Sequence, residues 1–268
     1  MSHPPMNADN IFDLSGRVAL VTGGGTHLGM AMAHALSGFG AHTYVTGRRQ
    51  HLLEESAASI RAAGGEATPV VMDVTDPDGV ETVVDRIVSE HGHIDVAVCN
   101  AGSNAENLFP PHTDLDVFRA TLESHLMGAI TTANAAGRRM VEQGSGSIIT
   151  VSSVHGSLAA DPRLYADLGM AKRSSLAYQA AKSAIIGATR NLAAELGRSG
   201  VRVNCISPGH VPKDTADPRF VERLINGNAL GIRGEPRDMQ GAVVLLASDA
   251  GRFITGHNLV VDGGWSIW

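Results

Sequence analysis

Charge and aromatic rings are both scarce in this chain. Of 268 residues, 18% are charged and 4% aromatic, and the net charge is −6. No dense Lys/Arg block occurs. Binding to nucleic acid or an anionic membrane needs such a block to neutralise phosphates, so neither partner is expected. No apolar run approaches the length of a membrane span. Met1 to Ser15 lacks a basic stretch followed by an apolar one, so no signal peptide is read there. The only two cysteines, Cys99 and Cys205, sit in apolar strand-like runs. They read as small buried residues, and a reducing compartment, the cytoplasm, fits. His42, His51, His91, His93 and His112 follow no metal-ligand spacing, so no metal is expected.

What is present is regular. Hydrophobic residues make up 43% of the chain, enough for a substantial core. Strands are expected at Arg17–Thr22, His42–Thr46, Ala67–Met72, Ile94–Cys99, Ser147–Ser152, Val201–Ser207 and Leu259–Val261. Several are near-continuous apolar runs, as in parallel strands covered on both faces. Helices are expected at Met30–Ser37, His51–Ala63, Val80–His91, Leu115–Glu142, Ser175–Arg198 and Asp238–Ala247. Alternation of strand and helix implies an α/β fold with right-handed crossovers and a doubly wound, seven-stranded parallel sheet. No repeat or linker divides the chain, so residues 1–268 read as a single domain with an N-terminal extension over 1–15. Residues 158–174 and 209–235 break the alternation. Both follow strand ends, where open α/β sheets place their ligands.

The first strand runs into Thr22-Gly23-Gly24-Gly25-Thr26-His27-Leu28-Gly29, and a helix follows. Such glycines let a backbone approach a pyrophosphate, and the helix N-terminus favours its charge. The spacing is not G-x-G-x-x-G. It resembles the T-G-x-x-x-G-x-G of the short-chain dehydrogenase/reductase family, with His27 where the middle glycine belongs. The resemblance extends along the chain through Asp73-Val74, Asn100-Ala101-Gly102, Tyr178-Gln-Ala-Ala-Lys182, Pro208-Gly209, Leu246-Ala-Ser-Asp249 and Val261-Asp262-Gly263-Gly264. It implies a Rossmann-type sheet. The implied cofactor contacts are Gly23, Gly25, Thr26, His27, Leu28, Gly29, Asp73, Val74, Asn100, Ala101, Gly102, Pro208, Gly209 and Val211.

Tyr178 and Lys182, four apart on a helix, share one face. A free phenol has a pKa of about 10. A neighbouring ammonium and an oxidised nicotinamide ring would lower it, so the pair suits acid/base work. By the family pattern Ser153 binds the carbonyl oxygen, with Ser152 as the alternative, and Lys182 also holds the nicotinamide ribose. His125 replaces the family's relay Asn. It either carries that relay in altered form or packs and bonds the local backbone. Tyr178 follows Ser153 by 25 residues, about twice the family spacing, which marks an insertion over 158–174. The insertion is read as a pocket wall or an oligomer contact. Arg163 and Tyr165 in it, with His210, are candidate substrate contacts. Arg163 either pairs with a substrate carboxylate or lies on the surface. Lys172 and Arg173 add charge to the same stretch.

The second strand ends at Gly47-Arg48, with no acid to hold ribose hydroxyls and an arginine to meet a 2′-phosphate. NADP(H) is therefore expected over NAD(H), with a small carbonyl or alcohol substrate. The insertion and the ending, Asp262-Gly-Gly-Trp265-Ser-Ile-Trp268, are similar to those of members acting on sugar acids and polyols, gluconate 5-dehydrogenase-like proteins among them. Trp268 suits a subunit interface, so a homo-oligomer, tetramer or dimer, is expected. The alternative is a non-catalytic NADP-sensing module, which the departures at His27 and His125 favour. Retention of Ser153, Tyr178 and Lys182 opposes it. An epimerase would need glycine at Thr26.

Overall fold

The computed structural model describes residues 11–103, 110–168 and 175–268. Lys172 and Arg173 lie outside these residues. The strands are β1 (Val18–Thr22), β2 (His42–Gly47), β3 (Glu66–Val71), β4 (Val96–Cys99), β5 (Gly146–Val151), β6 (Val201–Pro208) and β7 (Asn258–Val261). They form one seven-stranded sheet in the order β3-β2-β1-β4-β5-β6-β7, and every pairing is parallel. The order reverses between β1 and β4. Crossovers on the two sides of that point leave a crevice above the strand C-termini.

The helices are α1 (His27–Gly38), α2 (Gln50–Ala62), α3 (Pro77–His91), α4 (Leu115–Leu122), α5 (Gly128–Gln143), α6 (Leu176–Leu196), α7 (Pro218–Gly227) and α8 (Gln240–Ala247). Both faces of the sheet are apolar. On β1, Val18 and Leu20 join a layer with Val84, Ile87 and Ala133 of α3 and α5. Ala19 and Val21 join the opposite layer with Met32, Leu36 and Val244 of α1 and α8. Strict alternation along the strand thus feeds two cores, which explains why these strands read as unbroken apolar runs.

Two expectations need correcting. The helix expected over Leu115–Glu142 is interrupted by a π-helical turn at Glu123–Met127. One added residue there swings His125 inward, where it is buried, as such turns do at functional sites. Within 209–235, where no helix is expected, Pro218–Gly227 forms α7. Asp217 caps it, its carboxylate accepting from Arg219 N, and Pro218 supplies a preset first-turn φ.

The loop after β1 is held against β4. Thr22 Oγ1 donates to Val98 O at 3.2 Å and accepts from the amides of Asn100 and Ala101, both at 3.0 Å. The Asn100 side-chain amide donates to Thr22 O at 2.9 Å. This clasp brings α1 so close that a Cβ at Gly29 would overlap the Gly23 carbonyl. Gly29→Ala is expected to destabilise the protein by about 2 kcal/mol or more through overpacking. Gly38→Ala, on the same helix with open space around it, should be neutral or stabilising by about 0.5 kcal/mol. Urea unfolding of both variants checks the contrast.

Candidate active site

The crevice at the switch point encloses about 480 Å³ and is lined by Gly23, Gly25, Thr26, Arg48, Asp73, Val74, Ala101 and Gly102, among others. α1 begins here, with no acidic residue in its first turn and no side chain capping its amides. Those amides are left for an anion. Arg48 Nη1 stands 3.9 Å from Asp73. Asp73 accepts from Thr75 N and Thr75 Oγ1. The Thr75 amide holds its carboxyl below the usual range; burial opposes this, and the Thr75 hydroxyl and then Arg48 add smaller lowering effects. A crevice with amides, an arginine and a fixed carboxylate in one row fits an adenine dinucleotide bearing a 2′-phosphate.

Not every expected cofactor contact faces this crevice. Leu28 packs against the apolar layer of α1 and α8, leaving its backbone at the helix start. Asn100 turns its amide back onto Thr22 and Gly23 as part of the clasp. His27 has φ 51, the left-handed value that a glycine adopts freely. Its ring faces a separate cavity with Lys213, Asp214 and Arg233, so the imidazole leaves the crevice open. Burial, then Lys213, push its pKa down.

Tyr178, Ser153, Lys182 and His125 come together. Ser175 caps α6 by accepting from Tyr178 N at 3.2 Å, which places Tyr178 in the first turn. The Tyr178 side chain is hydrogen-bonded to that of Ser153. Ser152 instead donates to Lys182 O at 2.7 Å, so it holds α6 to the sheet and does not serve as the alternative. Burial raises the Tyr178 pKa, and the Ser153 bond offsets part of this. The lowering expected from the ammonium is not seen; the shift is upward, and the phenol stays protonated. Lys182 Nζ donates to Val151 O at 2.7 Å and stands 5.6 Å from the centre of the Tyr178 ring. Its pKa is pushed down to about 8 by burial. The His125 ring meets that of Tyr178 edge-on at 5.1 Å. Burial, then Lys182, push it down to about 3, against a bond with the Ser103 backbone, so it is neutral. A Cβ at Gly102 would overlap the His125 ring, which gives that glycine its role.

A second group, not assembled in the sequence reading, adjoins these. His155 N donates to Ser153 Oγ at 3.2 Å. The His155 ring contacts that of His210 at 5.2 Å, and His210 contacts Trp265 at 4.4 Å. His210, Val211 and Gly209 line a cavity of about 230 Å³ with Leu224 and Trp265. Pro208 ends β6 beside it. The signal for His155 was its place two residues after Ser153. Trp265 gave none, because its partner His210 is distant in sequence.

Of the insertion, Arg163 does not reach the site. Its side chain is 91% exposed and paired with Asp161 at 2.8 Å, because the Asp161 carboxylate starts a short 3₁₀ turn and holds the guanidinium outside. Tyr165 stacks on Phe220 of α7 at 5.3 Å. Arg223 of α7 donates to the carbonyls of Arg163, Leu164 and Ala166 at 3.2, 3.0 and 2.6 Å. Residues 163–166 of the insertion thus buttress α7, and α7 faces the cavity.

Residues 25–266 match the family model described as enoyl-(acyl carrier protein) reductase. The chain is 30% identical to gluconate 5-dehydrogenase of Gluconobacter oxydans, covering 100% of this chain and 99% of that one. It is 33% identical to D-threitol dehydrogenase of Mycolicibacterium smegmatis, over 98% and 97%. The structure of a Burkholderia cenocepacia gluconate 5-dehydrogenase in complex with NADP and tartrate superposes with a TM-score of 0.87 at 29% identity, covering 98% of this chain and 100% of that one. The chain belongs to the short-chain dehydrogenase/reductase family and is an oxidoreductase acting on CH–OH groups.

The buried ammonium has a consequence for stability. Lys182 titrates near 8 when folded and near 10.4 when unfolded. Below about pH 8 both states are charged, and the burial penalty is present in full. Between the two values the unfolded state binds more protons, so stability rises with pH. Relative to Lys182→Met, the wild type should gain about 1–2 kcal/mol from pH 7.5 to 9.5. Denaturant unfolding of both proteins at the two pH values measures this; an unchanged difference would contradict the assignment.

Proposed function

We propose that the chain interconverts a secondary alcohol and a ketone with NADP(H), with Tyr178 as acid/base, on a hydroxylated substrate of the polyol or sugar-acid class. The observation that carries this is the geometry at Tyr178, whose side chain is hydrogen-bonded to Ser153 and has Lys182 Nζ 5.6 Å from its ring centre. Bound NADPH supplies the hydride that reduces the carbonyl carbon. Ser153 donates to the substrate oxygen and fixes its position. Tyr178, held protonated by burial, gives that oxygen its proton as negative charge develops. Lys182 stabilises the resulting phenolate. In the oxidative direction the same phenol receives the proton.

His125 stands where the family's relay Asn would and serves that relay as an acceptor. It is neutral, touches the Tyr178 ring and faces Gly102 on the crevice side. Its one N–H bonds the Ser103 backbone, which leaves the other nitrogen to accept. Arg48 suits a 2′-phosphate, in keeping with the NADP bound by the Burkholderia relative. A sensing module needs no proton donor, so the assembled hydroxyls favour catalysis.

A homo-oligomer is supported by exposed apolar groups near the edge strand: Phe253 is 96% exposed and Trp268 76%. Among the described residues no helix is long and apolar enough to cross a membrane. The two free buried cysteines suit a reducing cytoplasm.

Tyr178→Phe should lower kcat for ketone reduction by about 10³-fold or more while NADPH still binds. Stopped-flow reduction and fluorescence titration measure the two. Arg48→Ala should raise KM for NADPH about tenfold, one charged hydrogen bond's worth, and leave KM for NADH within about twofold. Steady-state kinetics with each cofactor decides, and a wild-type preference for NADH contradicts the reading.

A further inference from the structure

The His155–His210 pair has no assigned task in the chemistry above. Nδ1 of His155 and both ring nitrogens of His210 are shielded from solvent without a hydrogen-bond partner among the described residues. Buried polar groups are normally paired, and each orphan costs about 1–3 kcal/mol. Orphans of this kind beside a reactive serine point to a ligand that completes them.

Position supports this. His155 N donates to Ser153 Oγ, so its ring leaves the chain within two residues of the group proposed to hold the substrate oxygen. His210 lines the 230 Å³ cavity, and Trp265 braces its ring. Trp265 in turn sits where a Cβ on Gly227 would overlap it, so α7 fixes the far side. The ring torsion of a histidine is broad, and a small turn presents either His210 nitrogen to the cavity.

The chemistry of the orphans selects the ligand. A neutral imidazole has one donor and one acceptor nitrogen. His210 therefore offers both. His155 donates to the Leu158 backbone through its other nitrogen, so its bare Nδ1 is an acceptor, and one hydroxyl can donate to that nitrogen while accepting from a His210 N–H. A carboxylate only accepts, and would leave the acceptor nitrogen unpaired. Of the nearby cations, Arg233 of the same cavity spends Nη2 on Asp214 and Pro212 O at 2.7 and 3.1 Å and keeps a shielded, unpartnered Nε–H that a hydroxyl oxygen also completes, and Arg163 faces solvent. Asp262 lies close enough to act on His210 and would repel an anion. Both imidazoles are held neutral, His210 near 4, chiefly by burial.

We propose that His155 and His210 form a hydroxyl-recognising wall, so that the substrate is a neutral α-hydroxyketone or its vicinal diol, with no carboxylate beside the reacting carbon. This rests on the oxidoreductase reading above and narrows its substrate class to polyols over sugar acids.

The test uses three ketones of matched size with NADPH: hydroxyacetone, butanone and pyruvate. The wild type should favour hydroxyacetone in kcat/KM over both others. In His210→Phe, which keeps a ring edge-on to Trp265, the hydroxyacetone-to-butanone ratio should fall about tenfold, mostly through KM, as for one lost hydrogen bond to a polar group. His210→Asn, which restores a donor and an acceptor, should recover part of that ratio, and His155→Phe gives a second variant should His210→Phe fail to fold. A wild type preferring pyruvate, or an unchanged ratio in both Phe variants, overturns the proposal. Absence of turnover with every ketone contradicts the oxidoreductase reading instead. The wall is then judged by saturation-transfer NMR on the NADP⁺-loaded protein. Stronger transfer to 1,2-propanediol than to 2-butanol or lactate upholds it, and equal transfer overturns it.

Discussion

A single ammonium on a single carbonyl organises the site. Lys182 Nζ is buried and donates to Val151 O, the last residue of β5. Water would solvate that charge far better than one carbonyl does, so burial pushes the group down to about 8. The same charge helps depress His125, and it acts on the Cys205 thiol beneath. That charge adds to burial in keeping the His125 imidazole neutral, while the Tyr178 phenol keeps its proton through its own burial. A local cost at the centre of the fold is the usual mark of a site under functional constraint.

Much of this was legible in the sequence. Apolar runs gave the strands, most clearly β1, β4 and β5, which bury both faces and so do not alternate with polar residues. The spacing of Tyr178 and Lys182 gave their shared face, and the glycines gave the turn. The hidden parts depend on contacts between distant segments. The π-helical turn at Glu123–Met127 leaves the apolar period almost intact, so nothing in the local pattern separates it from a continuous helix. α7 is short, and the stretch leading into it, Pro212 to Pro218, holds two prolines and two aspartates, composition that reads as loop. The direction of Arg163 is set by Asp161, two residues away, and an isolated Arg gives no sign of which way it turns.

The two histidine departures resolve differently. At 27 the backbone keeps the left-handed conformation of the glycine it replaces, and the added side chain goes to the loop carrying Lys213 and Asp214. The phosphate side of the crevice loses nothing. At 125 the change is inside the site. The larger ring is accommodated by a π-helical turn on its own element and by Gly102 opposite. Backbone geometry and side-chain volume have been adjusted together, which a simple swap of asparagine for histidine would not reveal.

Arg223 ties the carbonyls at 163, 164 and 166 to α7. Two segments some sixty residues apart thus behave as one mechanical piece. Anyone seeking to graft this insertion onto a relative to alter selectivity must transplant the helix with it. Moved alone, the loop would arrive without the guanidinium that gives its backbone a shape.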